Sequence, residues 1–128
     1  LSKSFDRVMA VEDERRACTL GRVNCKTNHC DNVHYLRRTT EQFLHANKER
    51  PDLVVMDPPR LGAKPAIPML LERAAKRIVY VSCDPQTLAR DLRSLVDGGY
   101  ELESVEAVDM FPQTYHVEAV AKLRWKED

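Results

Sequence analysis

Net charge is the first thing this chain lacks. Its 20 Lys and Arg balance 20 Asp and Glu, so no global basic field draws it onto nucleic acid. Any affinity for RNA must be local or supplied by regions outside this chain. Long apolar runs are missing too: none approaches the roughly 18 residues of a spanning helix, and residues 1–7 carry no signal-peptide pattern. The expectation is a cytoplasmic location with no membrane partner. The four cysteines, Cys18, Cys25, Cys30 and Cys83, include no C-x-x-C pair, which argues against a disulfide scaffold and a standard zinc site. A metal cluster at Cys25, His29 and Cys30 is conceivable, but a helix-borne thiol pair beside a surface histidine is the plainer account. What remains is an ordinary globular composition, 43% apolar and 31% charged over 128 residues. That is one domain at most, and small for a complete cofactor-dependent enzyme.

Apolar stretches of about five residues, each followed by a longer helical pattern, recur through three quarters of the chain, and that alternation predicts an α/β fold with parallel strands. Strands are expected at residues 7–12, 32–36, 53–56 and 77–82. Helices are expected at residues 13–28, 40–48, 65–76 and 85–97. Asp13 is the expected cap of the first helix, with Ala17, Leu20 and Val23 as its apolar face, and Thr40 caps the second. Residues 53–56 are wholly apolar, which predicts a strand covered on both faces. Pro85 suits a helix start and Gly98-Gly99 a helix stop. The pattern then changes: residues 100–109 and 117–125 read as two antiparallel strands with no helix between them.

Chemistry concentrates where strands end, because ligands of open α/β sheets collect there. In Asp57-Pro58-Pro59-Arg60 two prolines stiffen the loop that holds a carboxylate and a guanidinium; a plain strand-ending turn with an Asp–Arg ion pair would look the same. Cys83, in Ser82-Cys83-Asp84-Pro85, stands at a helix N-terminus, where the dipole favours thiolate, and is the best nucleophile candidate. A buried, inert cysteine is the competing account. Residues 109–118 join the last two strands with more hydrogen-bonding and stacking groups than a simple hairpin needs. Glu118, beside Val117, Ala119, Val120 and Ala121, has the apolar company that suits a proton-exchanging carboxyl, unless it is an edge-strand charge facing water.

Taken together, D-P-P-R, then Y-V-S-C-D-P-x-T-L-A-R-D-L, then D-M-F-P-Q-T-x-H-x-E, in this order and spacing, resemble the RNA 5-methyluridine methyltransferase family. The resemblance runs from about Val8 to Leu123. It implies a Rossmann-like, S-adenosylmethionine (SAM)-dependent methyltransferase fold, a mostly parallel sheet ending in an antiparallel strand pair, with residues 1–128 forming one partial catalytic domain. It implies SAM as cofactor and transfer or ribosomal RNA as partner. By the same resemblance Cys83 is the nucleophile that adds to carbon 6 of uracil, and Glu118 is the base that removes the proton from carbon 5. Asp57 orients cofactor and base, Arg60 supports the developing negative charge, Glu12 binds the ribose hydroxyls of SAM and Thr39 neighbours its adenine. Ser82, Phe111, Gln113 and His116 are expected around the base without an assigned step.

The chain departs from that family in lacking any G-x-G, so the glycine-rich loop and the strand before it are expected to precede Leu1. That strand would lie between the strands at 7–12 and 53–56. Without it, those two are expected to pair directly, to be completed by another segment, or to belong to a longer polypeptide. The 128 residues alone are expected to bind SAM poorly and not to methylate RNA. An adenine N6-methyltransferase would need no Cys83, and a cytosine C5-methyltransferase would order its motifs differently. A catalytically silent RNA-binding or assembly module is the rival from another class.

Overall fold

The computed structural model describes residues 1–110, 113 and 117–127. Strands and helices alternate as β1 (Val8–Glu12), α1 (Arg15–Thr27), β2 (Val33–Arg37), α2 (Thr40–Ala46), β3 (Leu53–Met56), α3 (Ile67–Arg73), β4 (Arg77–Ser82) and α4 (Pro85–Asp97), followed by β5 (Tyr100–Val108) and β6 (Glu118–Trp125). The chain forms two compact units, Leu1–Asn47 and Lys48–Asp128.

In the first unit β1 and β2 pair in parallel, from Val8↔Val33 to Glu12↔Arg37, with α1 as the crossover. The cap of α1 is Glu14 rather than Asp13: its carboxylate accepts from the backbone N–H of Arg16 and Ala17. Glutamate reaches these orphan donors because Glu14 N–H is itself anchored on Glu12 Oε1 at 2.8 Å, which leaves Asp13 in the loop. The expected apolar face is also displaced. Leu20 and Val23 are 52% and 54% exposed, whereas Cys18 and Gly21 are buried. Size explains it: a Cβ on Gly21 would fall 2.3 Å from Cζ of Tyr35, so the helix meets the β2 side chains through its smallest residues, an approach that leucine and valine would block. For α2 the cap is Thr39, not Thr40. Its hydroxyl accepts from Gln42 N–H (3.2 Å) and its N–H donates to Gln42 Oε1 (3.1 Å), a reciprocal capping box.

In the second unit the strand order is β3-β4-β6-β5. β3 and β4 are parallel, β6 runs antiparallel to both β4 and β5, and the last strand of the chain therefore fills the interior of the sheet. The parallel-then-antiparallel layout expected from the sequence is the one observed. Alternation sends Ile78 and Tyr80 of β4 and Ala121 and Leu123 of β6 into a core shared with Ile67 of α3 and Leu88, Leu92 and Leu95 of α4. Ile78 and Leu95 have no exposed surface, and burying a side chain of that size stabilises by about 1.5–3 kcal/mol. Tyr100 closes one end, edge-to-face with Trp125 at 4.9 Å and donating its hydroxyl to the Ala75 carbonyl at 2.9 Å.

Strand β3 is not covered on both faces. Val54 and Met56 pack on the core, while Val55 is 49% exposed. The reason is position, since β3 ends its ladder and α3 and α4 supply apolar partners to one side of it. Among the described residues, β1 pairs with β2 in a two-stranded sheet and β3 ends the four-stranded one. No helix among the described residues is long and apolar enough to cross a membrane.

Candidate active site

The site is built on the turn that leaves β4. Ser82, the last residue of that strand, is 4% exposed. Its hydroxyl donates to the Asp84 carbonyl (3.0 Å) and accepts from Asp84 N–H (3.1 Å). Cys83 is the middle residue of this clip, half-buried and with a free thiol, so it is not the fully buried cysteine that was the competing account. Asp84 then caps α4, with Oδ1 accepting from Gln86 N–H (3.0 Å) and Thr87 N–H (2.9 Å). The Thr87 amide foremost, and the Arg60 guanidinium among lesser causes, hold the Asp84 carboxyl below its ordinary range.

Glu118 arrives at the same turn from the other end of the chain. The β4–β6 ladder closes at Ser82↔Ala119; Cys83 comes directly after β4, and Glu118 is the first residue of β6. Both residues thus stand at the end of the sheet where that ladder closes. Glu118 also pairs with Val108 of β5, so it opens an interior strand and is half-buried rather than an edge charge facing water.

Asp57 directly follows β3, whose Met56 is in register with Tyr80 of the parallel β4, so it emerges at the same end of the sheet. The loop it begins is tied to α4. Thr87 Oγ1 donates to the Arg60 carbonyl (2.9 Å), Arg90 Nη2 to the Leu61 carbonyl (2.8 Å), and Ala63 N–H to Asp91 Oδ2 (2.6 Å). The four catalytic candidates, Asp57, Arg60, Cys83 and Glu118, thus belong to one rim of the four-stranded sheet. The residue that sequence reasoning missed is Asp91, and a signal existed. It falls among Leu88, Leu92 and Leu95 on the buried face of α4, where an acid demands an explanation.

Of the cofactor candidates, Asp57 lies in the second unit, while Glu12 and Thr39 lie in the first, at the C-terminal end of β1 and β2. Glu12 closes β1, with Oε1 held by Glu14 N–H and its carbonyl accepting from Arg38 N–H at 3.1 Å. Thr39 is the next residue, occupied in its capping box but still carrying a hydroxyl proton to donate. Gln113 is exposed with φ 67; Phe111 and His116 lie outside the described residues. Among the described residues no group of three or more His, Cys, Asp or Glu is arranged to hold a metal ion.

Comparison with known proteins gives these positions a context. A family model described as tRNA (uracil-5-)-methyltransferase matches residues 1–126. A protein described as an uncharacterized RNA methyltransferase of Thermotoga maritima is 45% identical over 123 residues, covering 95% of this chain and 28% of that protein. One of Gloeobacter violaceus, similarly described, is 44% identical over 124 residues, 96% of this chain and 27% of its own length. The chain thus spans little over a quarter of these relatives. Among solved structures, the Pyrococcus abyssi tRNA (uracil-54, C5)-methyltransferase in complex with S-adenosyl-L-homocysteine superposes with a TM-score of 0.80 at 33% identity, over 94% of this chain and 29% of that one. A precorrin-6y C5,15-methyltransferase of Geobacter metallireducens, at 22% identity and a TM-score of 0.72 over 94% of this chain and 67% of its own, shares the fold. The architecture is that of a Rossmann-like methyltransferase.

Proposed function

This chain belongs to the tRNA (uracil-5-)-methyltransferase family, and from that premise we propose that it methylates carbon 5 of uridine in RNA, using Cys83 as nucleophile, Glu118 as base and SAM as methyl donor. The observation that carries the reading is the β4–β6 register, in which Cys83 and Glu118 follow the same terminal pair, Ser82↔Ala119. One sulfur and one carboxyl serving one pyrimidine ring is what the chemistry requires.

Carbon 5 of uracil is too weak a nucleophile to be alkylated directly. The Cys83 thiolate forms a bond to carbon 6, and the electron pair of the 5,6 double bond moves toward oxygen 4 as an enolate. SAM, when bound, supplies the methyl group that the resulting nucleophilic carbon 5 takes up. Glu118 then accepts the carbon 5 proton, the double bond re-forms, and the carbon–sulfur bond breaks to release Cys83. Arg60 supports the developing enolate charge, while Asp57 orients the reacting groups from its stiffened loop. Toward the cofactor, Glu12 fits the chemistry of ribose hydroxyls. One of its oxygens takes Glu14 N–H, and a carboxylate has acceptor positions left for two hydroxyls. Thr39 is assigned to the adenine side. The target uridine must leave its stack to meet the sulfur, in transfer or ribosomal RNA and in the cytoplasm.

RNA carrying 5-fluorouridine tests this directly. Fluorine at carbon 5 does not leave as a proton, so the full encoded polypeptide should be trapped on the RNA through Cys83, as resolved by denaturing gel and peptide mass. Cys83→Ala should form no adduct. Wild type that traps nothing, or a Cys83→Ala variant that traps as well as wild type, refutes the assignment and favours the silent RNA-binding module instead.

A further inference from the structure

Asp91 is a carboxylate with 1% of its surface exposed, on the face of α4 that otherwise carries leucines. It takes four hydrogen bonds: Oδ2 accepts from Ala63 N–H (2.6 Å) and the Tyr80 hydroxyl (2.7 Å), and Oδ1 from Arg90 Nε (2.9 Å) and Nη2 (2.8 Å). A buried carboxylate is strongly unfavourable unless paired and hydrogen-bonded, and this one is both. The groups it gathers come from three segments: β4 through Tyr80, α4 through Arg90, and the loop after Asp57 through Ala63.

The same loop is held along its length. Arg90 Nη2 also donates to the Leu61 carbonyl, and Thr87, one turn earlier on α4, donates to the Arg60 carbonyl. Between these ties Gly62 has φ 78, and a Cβ there would stand 2.4 Å from Asp91 Oδ2 and 2.6 Å from Arg90 Nη2. The loop backbone is thus seated on the Asp91–Arg90 pair with no room for a side chain. Helix α4 starts two residues after Cys83, and the seated loop carries Asp57 and Arg60.

We propose that Asp91 is a positioning residue: through Ala63, Tyr80 and Arg90 it fixes the Asp57–Arg60 loop against the helix that begins behind Cys83. The inference deepens the uridine-methylation reading and rests on it. A residue that serves only packing would lower stability when replaced. A positioning residue also slows the covalent step while leaving substrate capture intact.

Asp91→Asn, made in the full encoded polypeptide, keeps the shape but turns one acceptor into a donor facing the donors already there. Its rate of trapping on 5-fluorouridine RNA should fall about 10- to 100-fold, with the KM for RNA within about twofold of wild type. Tyr80→Phe removes one donor and no charge, should slow trapping by less, and covers the case in which Asp91→Asn does not fold. In both variants the Ala63 amide should exchange its hydrogen faster than in wild type. Variants that trap at the wild-type rate, or that raise KM and leave kcat unchanged, overturn the positioning role while the uridine reading stands. A wild-type protein that traps nothing overturns both.

Discussion

Replacing Ser82 with alanine removes both hydrogen bonds that clip the turn around Cys83. The lost partners are the Asp84 carbonyl at 3.0 Å and the Asp84 N–H at 3.1 Å, at a site where Ser82 is only 4% exposed and water does not readily replace the hydroxyl. Each such bond contributes about 0.5–1.5 kcal/mol net, so the two together predict a loss of about 1–3 kcal/mol. Urea denaturation of wild type and variant measures that loss from the shift in midpoint at constant slope. The functional effect should exceed what the stability change alone implies, because the clip shapes the turn that carries the sulfur. A displacement near 1 Å in a reacting group costs about 100-fold in rate. Trapping on 5-fluorouridine RNA under conditions where the variant is fully folded reads that part separately. A stability change below about 0.5 kcal/mol, together with an unchanged trapping rate, would show that something other than Ser82 holds Cys83 in place.

Burial pushes the Tyr100 phenol up to about 12 from an ordinary 10.0, and a pKa raised on folding means stability fully present below pH 10 and lost as pH rises toward 12; Tyr100→Phe should flatten that alkaline slope in pH-dependent denaturation. Gly62→Ala forces a Cβ to 2.4 Å from Asp91 Oδ2 at φ 78 and should destabilise by at least about 1–3 kcal/mol, as measured by thermal unfolding. Leu95→Ala empties a position with no exposed surface and should cost about 2–5 kcal/mol without altering the KM for RNA. The 128-residue chain on its own, lacking any G-x-G, should show no micromolar SAM binding in calorimetric titration.

How much of this was legible beforehand depends on how local the signal is. The bounds of β4 and α4 match their sequence expectation because Pro85 can only start a helix and Gly98-Gly99 stops one. Helix α3 is shorter than expected because Ala74 turns left-handed at φ 47, a stop that no glycine announces. On α1 the larger apolar residues looked like the buried face, but close packing of Gly21 against Tyr35 selected the smaller ones. Strand β3 has an interior composition and an edge position, and composition alone does not separate the two. The candidate residues were readable from their motifs, whereas their assembly on one rim depends on β6 pairing between β4 and β5, a long-range choice with no local trace. Asp91 escaped notice for the opposite reason: its helical position was evident, but the four donors that justify it come from three different segments.

The placement of β6 inside the sheet also bears on how the molecule is made. A ribosome releases β3, β4 and β5 before it has translated residues 118–125, so during synthesis β4 and β5 wait with unpaired edges for the strand that joins them. A nascent chain arrested at residue 117 would present Cys83 before Glu118 exists, together with two sticky strand margins. The sheet is therefore closed only once residues 118–125 have been made.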